Sequence, residues 1–197
     1  MIPKRAADVD GLLAEIERQR HEATDLFESV STDAARWRPD ESRWSMTGHL
    51  AHVGLVNEAY LGRIDEVVSA ARAEGAAPPM SDGPYRHPWI STWFVGTMEP
   101  PVKRRMKTLR PMVPEPDVDP DAALSTFHAH QAKLLSLVEA SRGMDLGKIR
   151  FSSPFFALLR FSLGTGFDLL LAHNRRHLWL IRELQEHADF PSEGSGG

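Results

Sequence analysis

Two histidines stand four residues apart near the carboxyl end of the chain, in the segment LLLAHNRRHLWLIREL of residues 169–184. Four residues make slightly more than one helical turn, so His173 and His177 would lie on one face of a helix with their rings close together. The leucines recur on that same face, which the pattern predicts to be buried. Two buried imidazoles can chelate one metal ion, or they can be core histidines that hydrogen-bond to neighbouring groups. The segment by itself leaves both alternatives open.

A second pair of histidines lies in WSMTGHLAHVGLVNEAY, residues 44–60. Helical periodicity places His49 closer to the centre of the apolar face and His52 towards its edge. One of them would complete a set of three imidazoles, and three nitrogen ligands with water form an open metal site. Neutral imidazole is the binding form, so occupancy is expected to fall below about pH 6.5.

Three other residues are candidates for binding a cofactor or substrate beside these histidines. His128 and Gln131 fall near the inward face of a predicted helix. Arg176 is angled towards the pocket, where its guanidinium could hold a substrate carboxylate. No Asp or Glu has a spacing that marks it as a general base.

The composition limits the chemistry and the partners. The 197 residues include no cysteine, which excludes disulfides, thiolate ligands and a cysteine nucleophile. The net charge of −4 argues against binding to nucleic acid. No secretory signal is apparent, and the most apolar stretch, residues 151–172, is interrupted by Arg160 and Asp168. We therefore expect a cytoplasmic protein that does not insert into membranes.

Four helices with apolar stripes are predicted to position the histidines. They cover about residues 8–30, 45–73, 121–143 and 164–187. Nothing alternates convincingly with a period of two, so little or no sheet is expected. The first two helices and the last two are each expected to be joined by a short loop.

A long crossover, residues 74–119, joins the second and third predicted helices. It is rich in proline but contains two tryptophans, so it is expected to pack on the helices, with a short helix near residues 89–97. The prediction is an all-α four-helix bundle with this one long crossover. Residues 1–190 would form a single domain, and residues 191–197 a disordered tail.

The motifs resemble those of a known family. VSTDAARWRPDESRWSMTGHLAHV resembles the entry to the second helix in the DinB-like superfamily of four-helix bundle proteins, where a metal-binding histidine follows a Trp-Ser start. Trp44 and Ser45 match that start, and His52 stands at the ligand position. AHNRRHLWLIREL resembles the closing helix, with His173 and His177 at the two remaining ligand positions. VKRRMKTLRPMVPE resembles the basic, proline-rich insertion of the larger members.

The resemblance implies an up-up-down-down bundle and a site for zinc, nickel or a similar divalent ion on His52, His173 and His177. It thus favours His52 over His49, against the periodicity. Many members carry Gln one turn after the last histidine, where this chain has Leu180. The resemblance also implies a homodimer. The apolar residues that lie off the predicted core stripes, and so are expected at its interface, are Leu55, Ala59, Phe167 and Leu178.

Relatives of this kind include transferases that use low-molecular-weight thiols, such as mycothiol or bacillithiol, and metal-dependent hydrolases. The resemblance therefore implies a thiol S-transferase or a hydrolase that acts on a small electrophilic molecule. A metal ion with an open position can convert a bound thiol or water into a nucleophile. The alternative is a non-catalytic bundle that binds metal or a small ligand, as a stress-related or dimeric interaction module. A fourth protein ligand, such as His49, would favour that alternative.

Overall fold

The computed structural model describes residues 8–73, 85, 89–102, 108–156 and 158–191. Over these residues the chain is mostly helical, with one small two-stranded sheet. The helices are α1 (Val9–Glu28), α2 (Thr32–Arg36), α3 (Met46–Ala73), α4 (Trp89–Gly96), α5 (Pro120–Ala140) and α6 (Leu163–Gln185), with a 3-10 turn at Arg110–Met112. The strands are β1 (Arg150–Ser152) and β2 (Arg160–Ser162). The predicted tail, apart from Pro191, and residues 103–107 of the basic insertion lie outside the described residues.

Side-chain caps set the first turns of the long helices. Asp8 accepts a hydrogen bond from the Gly11 amide at 2.7 Å at the start of α1. Ser45 accepts one from the Gly48 amide at 3.0 Å before α3. These bonds satisfy amides that have no partner within the helix.

The four long helices α1, α3, α5 and α6 make the most extensive contacts. Helices α1 and α3 each pack against both α5 and α6. Helix α4 packs on α6, so the described part of the crossover contacts the long helices, as predicted. None of the described helices has both the length and the apolar character needed to cross a bilayer.

Contacts between α3 and its neighbours show the chain directions on that side. Asp65 pairs with Lys133, and Arg72 bonds to the Ala140 carbonyl, so α3 and α5 run parallel. His49 contacts His177 and His52 contacts His173, so α3 and α6 run antiparallel.

Contacts of α1 show the other two directions. The Gln19 side chain bonds to the Leu171 carbonyl, and Gln185 bonds to the Leu26 carbonyl, so α1 and α6 run parallel. Gln131 bonds to Gln19, and Arg142 pairs with Asp10, so α1 and α5 run antiparallel.

The order of directions is therefore up-down-down-up, and the expected up-up-down-down order is wrong. The physical reason lies in the connections. The short segment of residues 29–45 reverses the chain between α1 and α3. The long crossover is needed because α3 and α5 run parallel, so α5 starts at the end of the molecule opposite to the one where α3 ends.

The connection from α5 to α6 is longer than predicted and contains a β-hairpin. Strands β1 and β2 pair antiparallel, with Phe151 opposite Phe161, and both rings are buried. Gly166 on α6 makes room for the hairpin, since a Cβ at that position would lie 2.6 Å from the Phe151 ring.

Two of the four residues expected at a dimer interface are in the core. Phe167 and Leu178 are 0% and 1% exposed. Helix α6 packs against α1, α3, α4 and β2, which enclose more of its surface than one apolar stripe would suggest. Leu55 is exposed at 38%, and Ala59 is partly exposed.

Candidate metal centre

Three histidines meet where α3 crosses α6. Nε2 of His52 lies 3.2 Å from Nε2 of His173, and one ring nitrogen from each of His52, His173 and His177 lies within 4.8 Å of the others. His173 and His177 come together because they are one turn apart, and His52 faces them because α3 packs against α6 at this point. The structure thus brings together the three residues that the family motif selects, and this group could hold a metal ion.

The spacing and hydrogen bonding of this group fit a divalent ion. Zinc–nitrogen bonds of about 2.1 Å in a tetrahedral site separate two ligand nitrogens by about 3.4 Å, close to the 3.2 Å observed. Nδ1 of His52 donates to the Met112 carbonyl at 2.6 Å, which leaves Nε2 as the nitrogen that faces His173. Metal-binding imidazoles are commonly oriented by such a hydrogen bond from the second nitrogen.

Burial keeps these imidazoles neutral. It lowers the pKa of His173 to about 3, with smaller contributions from the charges of His52 and Arg176. Burial also lowers the pKa of His177 well below its usual value, and that of His52, although the Met112 hydrogen bond opposes the shift in His52. Neutral imidazole is the metal-binding form. The expected loss of metal below about pH 6.5 therefore shifts to lower pH.

His49 touches this group from outside. Its Nδ1 lies 3.0 Å from Nδ1 of His177, but it is not one of the three residues whose nitrogens cluster within 4.8 Å. Burial is the main cause that lowers the pKa of His49 to about 3. The periodicity ranked His49 first because it lies near the centre of the apolar face, whereas the cluster forms at the edge of that face, next to α6.

Trp44 forms an aromatic wall beside the histidines. The centroid of its ring system lies 4.8 Å from that of His52, 5.5 Å from that of His49 and 6.2 Å from that of His177. The motif of Trp44 and Ser45 thus does two things: the serine caps α3, and the tryptophan packs against the histidine rings.

A cavity of about 810 Å³ opens beside the histidines. It lies between α3, α6, the crossover and the hairpin. Its lining is mainly apolar and aromatic, and includes Trp44, Tyr60, Phe94, Met98, Met112, Phe155, Phe156, Leu159 and Trp179. The predicted candidate Arg176 and all four histidines named above also line it.

His128 and Gln131, which were expected near the pocket, do not line this cavity. His128 shares a hydrogen bond with Thr24 at 3.1 Å, and Gln131 is buried against Gln19. Both belong to α5, which faces α1 and α3, while the cavity adjoins α6. The structure therefore places neither residue in the wall of this cavity.

Two neighbouring arginines on α6 have different surroundings. Arg175 is buried in an ion pair with Glu15 of α1 at 2.7 Å, and it makes two hydrogen bonds to Glu99 at 2.6 and 3.0 Å. This network fixes α1 and the segment after α4 to the helix that carries His173 and His177. Sequence reasoning missed it, because no local pattern links residues 160 positions apart. Arg176 is also buried, and Nη1 lies 3.5 Å from the Thr97 carbonyl oxygen.

Comparisons with known proteins complete the description of the site. The model of the DinB superfamily matches residues 15–181, a range that includes all three clustered histidines. No curated protein and no solved structure matches the chain. The family match covers most of the sequence, and the chain therefore belongs to the DinB superfamily.

Proposed function

We propose that this protein is a metal-dependent enzyme, either a thiol S-transferase or a hydrolase, which acts on a small electrophilic molecule. The observation that carries the proposal is the cluster of three neutral imidazoles in the wall of a cavity of about 810 Å³. Nitrogen-only ligation favours zinc or nickel over magnesium or calcium. His52, His173 and His177 hold the ion.

The other residues of the cavity have separate roles in binding and catalysis. When bound, the ion lowers the pKa of a thiol or water and so supplies a nucleophile at neutral pH. The chain has no cysteine, so a thiol nucleophile must be a low-molecular-weight cofactor. Trp44 and the other aromatic residues of the cavity hold apolar parts of the substrate and limit the access of water. Arg176 offers guanidinium donors to an anionic group of the substrate or the thiol.

The open character of the cluster favours an enzyme over a non-catalytic metal protein. Among the described residues, no fourth His, Asp or Glu joins the group of three. One or more coordination positions are then left for water, thiol or substrate, as in catalytic zinc sites.

The wider setting is also part of the proposal. The four long helices form one bundle within a single domain of residues 1–190, which works as a cytoplasmic homodimer on a small-molecule substrate. The mutual packing of α1, α3, α5 and α6 supports the bundle. The net charge of −4 supports the absence of a nucleic-acid partner.

The test is a conjugation and hydrolysis screen on protein produced without a histidine tag and loaded with zinc or nickel. Mycothiol and bacillithiol are each offered with a panel of small apolar electrophiles. The expected result is turnover by the parent protein and by His128→Ala, and a loss of at least about 100-fold in His177→Ala. Turnover that is equal in His177→Ala and the parent would contradict the proposal. A parent that binds metal but turns over no substrate of either class would favour a non-catalytic metal-binding bundle.

A further inference from the structure

We propose that His49 is a positioning residue for the metal centre: its Nδ1 accepts a hydrogen bond from Nδ1 of His177 and so holds the His177 ring with Nε2 directed to the ion. The inference rests on the proposed function, because it assumes that His177 is a ligand. It gives a separate role to His49, which among the described residues is the histidine of the cavity wall outside the group of three.

The distance between the two ring nitrogens is that of a hydrogen bond. The nitrogens are 3.0 Å apart, so one ring donates and the other accepts. A neutral imidazole has one N–H and one lone pair. If Nδ1 of His177 is engaged by His49, Nε2 is the nitrogen left for a metal ion.

The direction of the bond follows from ligation. A metal-binding nitrogen carries no proton, so a neutral His177 that ligates through Nε2 carries its proton on Nδ1 and donates it. His49 must then accept on Nδ1 and carry its own proton on Nε2.

His52 shows the same arrangement with a different acceptor. Its Nδ1 donates to the Met112 carbonyl at 2.6 Å, and its Nε2 faces the cluster. His52 and His177 are thus each oriented by a hydrogen bond at Nδ1. The partner of His52 is Met112 of the crossover, and the partner of His177 is His49, one turn before His52 on α3. The Trp44 ring system packs against the His49 ring at 74°, with centroids 5.5 Å apart, which restricts the rotation of His49.

Two substitutions of His49 separate a positioning role from ligation. His49→Ala removes the acceptor. His49→Asn places an amide oxygen close to the position of Nδ1, where it can accept the same bond but is a poor ligand for zinc or nickel beside imidazoles. His128→Ala is the matched control, because it removes a histidine outside the cavity.

The zinc affinity of each variant is measured by competition with a chelator. The number of zinc ions bound per chain is measured at saturating zinc. We expect one zinc per chain in every variant, with affinity about 10- to 100-fold weaker in His49→Ala. His49→Asn and His128→Ala should stay within about threefold of the parent. In the zinc-loaded parent, ¹⁵N NMR of the imidazoles should show His177 protonated on Nδ1 and His49 on Nε2, a pattern that general destabilisation would not produce.

Three outcomes would overturn the positioning role and leave the metal centre intact. The first is a zinc affinity of His49→Ala within threefold of the parent. The second is a zinc affinity of His49→Asn as weak as that of His49→Ala. The third is loss of bound zinc at saturating zinc in both variants, which would make His49 a ligand. A parent that binds no zinc or nickel would overturn the proposed function, and this inference with it.

Discussion

At the scale of single residues, burial lowers the pKa of the clustered histidines and so keeps neutral imidazoles available to a metal ion in mildly acidic solution. Sequence reasoning selected His49, His52, His173 and His177, which line the cavity, because their spacing on two helices is a local pattern. Helical periodicity ranked His49 above His52, and the family motif reversed that order. The choice depends on which edge of α3 meets α6, which is a property of the packing.

Metal binding should persist in mildly acidic solution. Three independent histidines with a pKa of 6.5 would lose affinity by roughly 500-fold between pH 7.0 and pH 5.5. The pKa of His173 is lowered to about 3, and those of His177 and His52 are also lowered, mainly by burial. We therefore expect a loss of less than about tenfold, measured by competition titration and corrected for protonation of the competitor. A loss of several hundredfold would show that the imidazoles titrate as if exposed.

The Arg175 network should contribute strongly to folding stability. Arg175→Met would leave Glu99 without its cation, whereas Glu15 would keep Arg18, so we expect a loss of about 1–3 kcal/mol in the free energy of unfolding, measured with urea. The control is Arg63→Met, because Arg63 forms an exposed ion pair with Glu66. Its expected loss in the free energy of unfolding is below about 1 kcal/mol. Equal effects of the two substitutions would contradict the structural role of Arg175.

The same network has a predictable pH dependence. Burial acts to raise the pKa of Glu15, but hydrogen bonds from Arg18 and Arg175, the charge of Arg175 and a hydrogen bond from Gln19 outweigh it and hold the pKa below the usual 4.5. The contribution of Glu15 to stability is therefore complete above pH 4.5 and is lost as the pH falls through the lowered pKa. The difference in stability between the parent and Arg175→Met should shrink as the pH falls below 4.5.

At the scale of the elements, the sequence predicted the four long helices and the short helix of the crossover, because apolar stripes and capping residues are local signals. It did not predict the hairpin between α5 and α6. Strands of three residues are too short to show a period of two, and what holds them is the packing of Phe151 and Phe161 in the core.

Substitution of Gly166 tests how the hairpin packs against α6, and substitution of Gly62 is the control. Gly166→Ala would bring a Cβ to 2.6 Å from the Phe151 ring, so we expect a loss of about 1–3 kcal/mol in the free energy of unfolding. Gly62→Ala, on the exposed side of α3, has no atom within 4 Å of the new Cβ and should gain about 0.5–1 kcal/mol. Thermal or urea unfolding of the two variants measures this difference. A stabilised Gly166→Ala would show that the hairpin is not packed as described.

At the scale of the whole molecule, the chain directions were the part of the fold that the sequence did not determine. The order up-down-down-up depends on pairs such as Asp65 with Lys133 and Gln19 with the Leu171 carbonyl, which are far apart in the chain. The apolar stripes predicted the all-α class, and the family resemblance selected the histidine set, but the topology that the resemblance implied was wrong. Local patterns describe each helix and do not fix how the helices are arranged.

The homodimer remains a prediction at this scale, and its surface must differ from the one first expected. Phe167 and Leu178 are buried within the chain, which leaves Leu55 and Ala59 of the original set. Sedimentation velocity at micromolar concentration should show a species of about twice the chain mass of 22.0 kDa. A single 22 kDa species over that range would contradict the homodimer and leave the metal site unaffected.

The metal content of the purified protein tests the central claim most directly. The parent, His52→Ala and the control His128→Ala are produced without a histidine tag, equilibrated with zinc, freed of weakly bound metal and analysed by mass spectrometry. We predict one zinc per chain in the parent and in His128→Ala, and less than about one tenth of that in His52→Ala, because losing one of three ligands weakens the site strongly. A parent without zinc, or a His52→Ala variant that retains a full equivalent, would contradict the claim that His52, His173 and His177 form a metal centre.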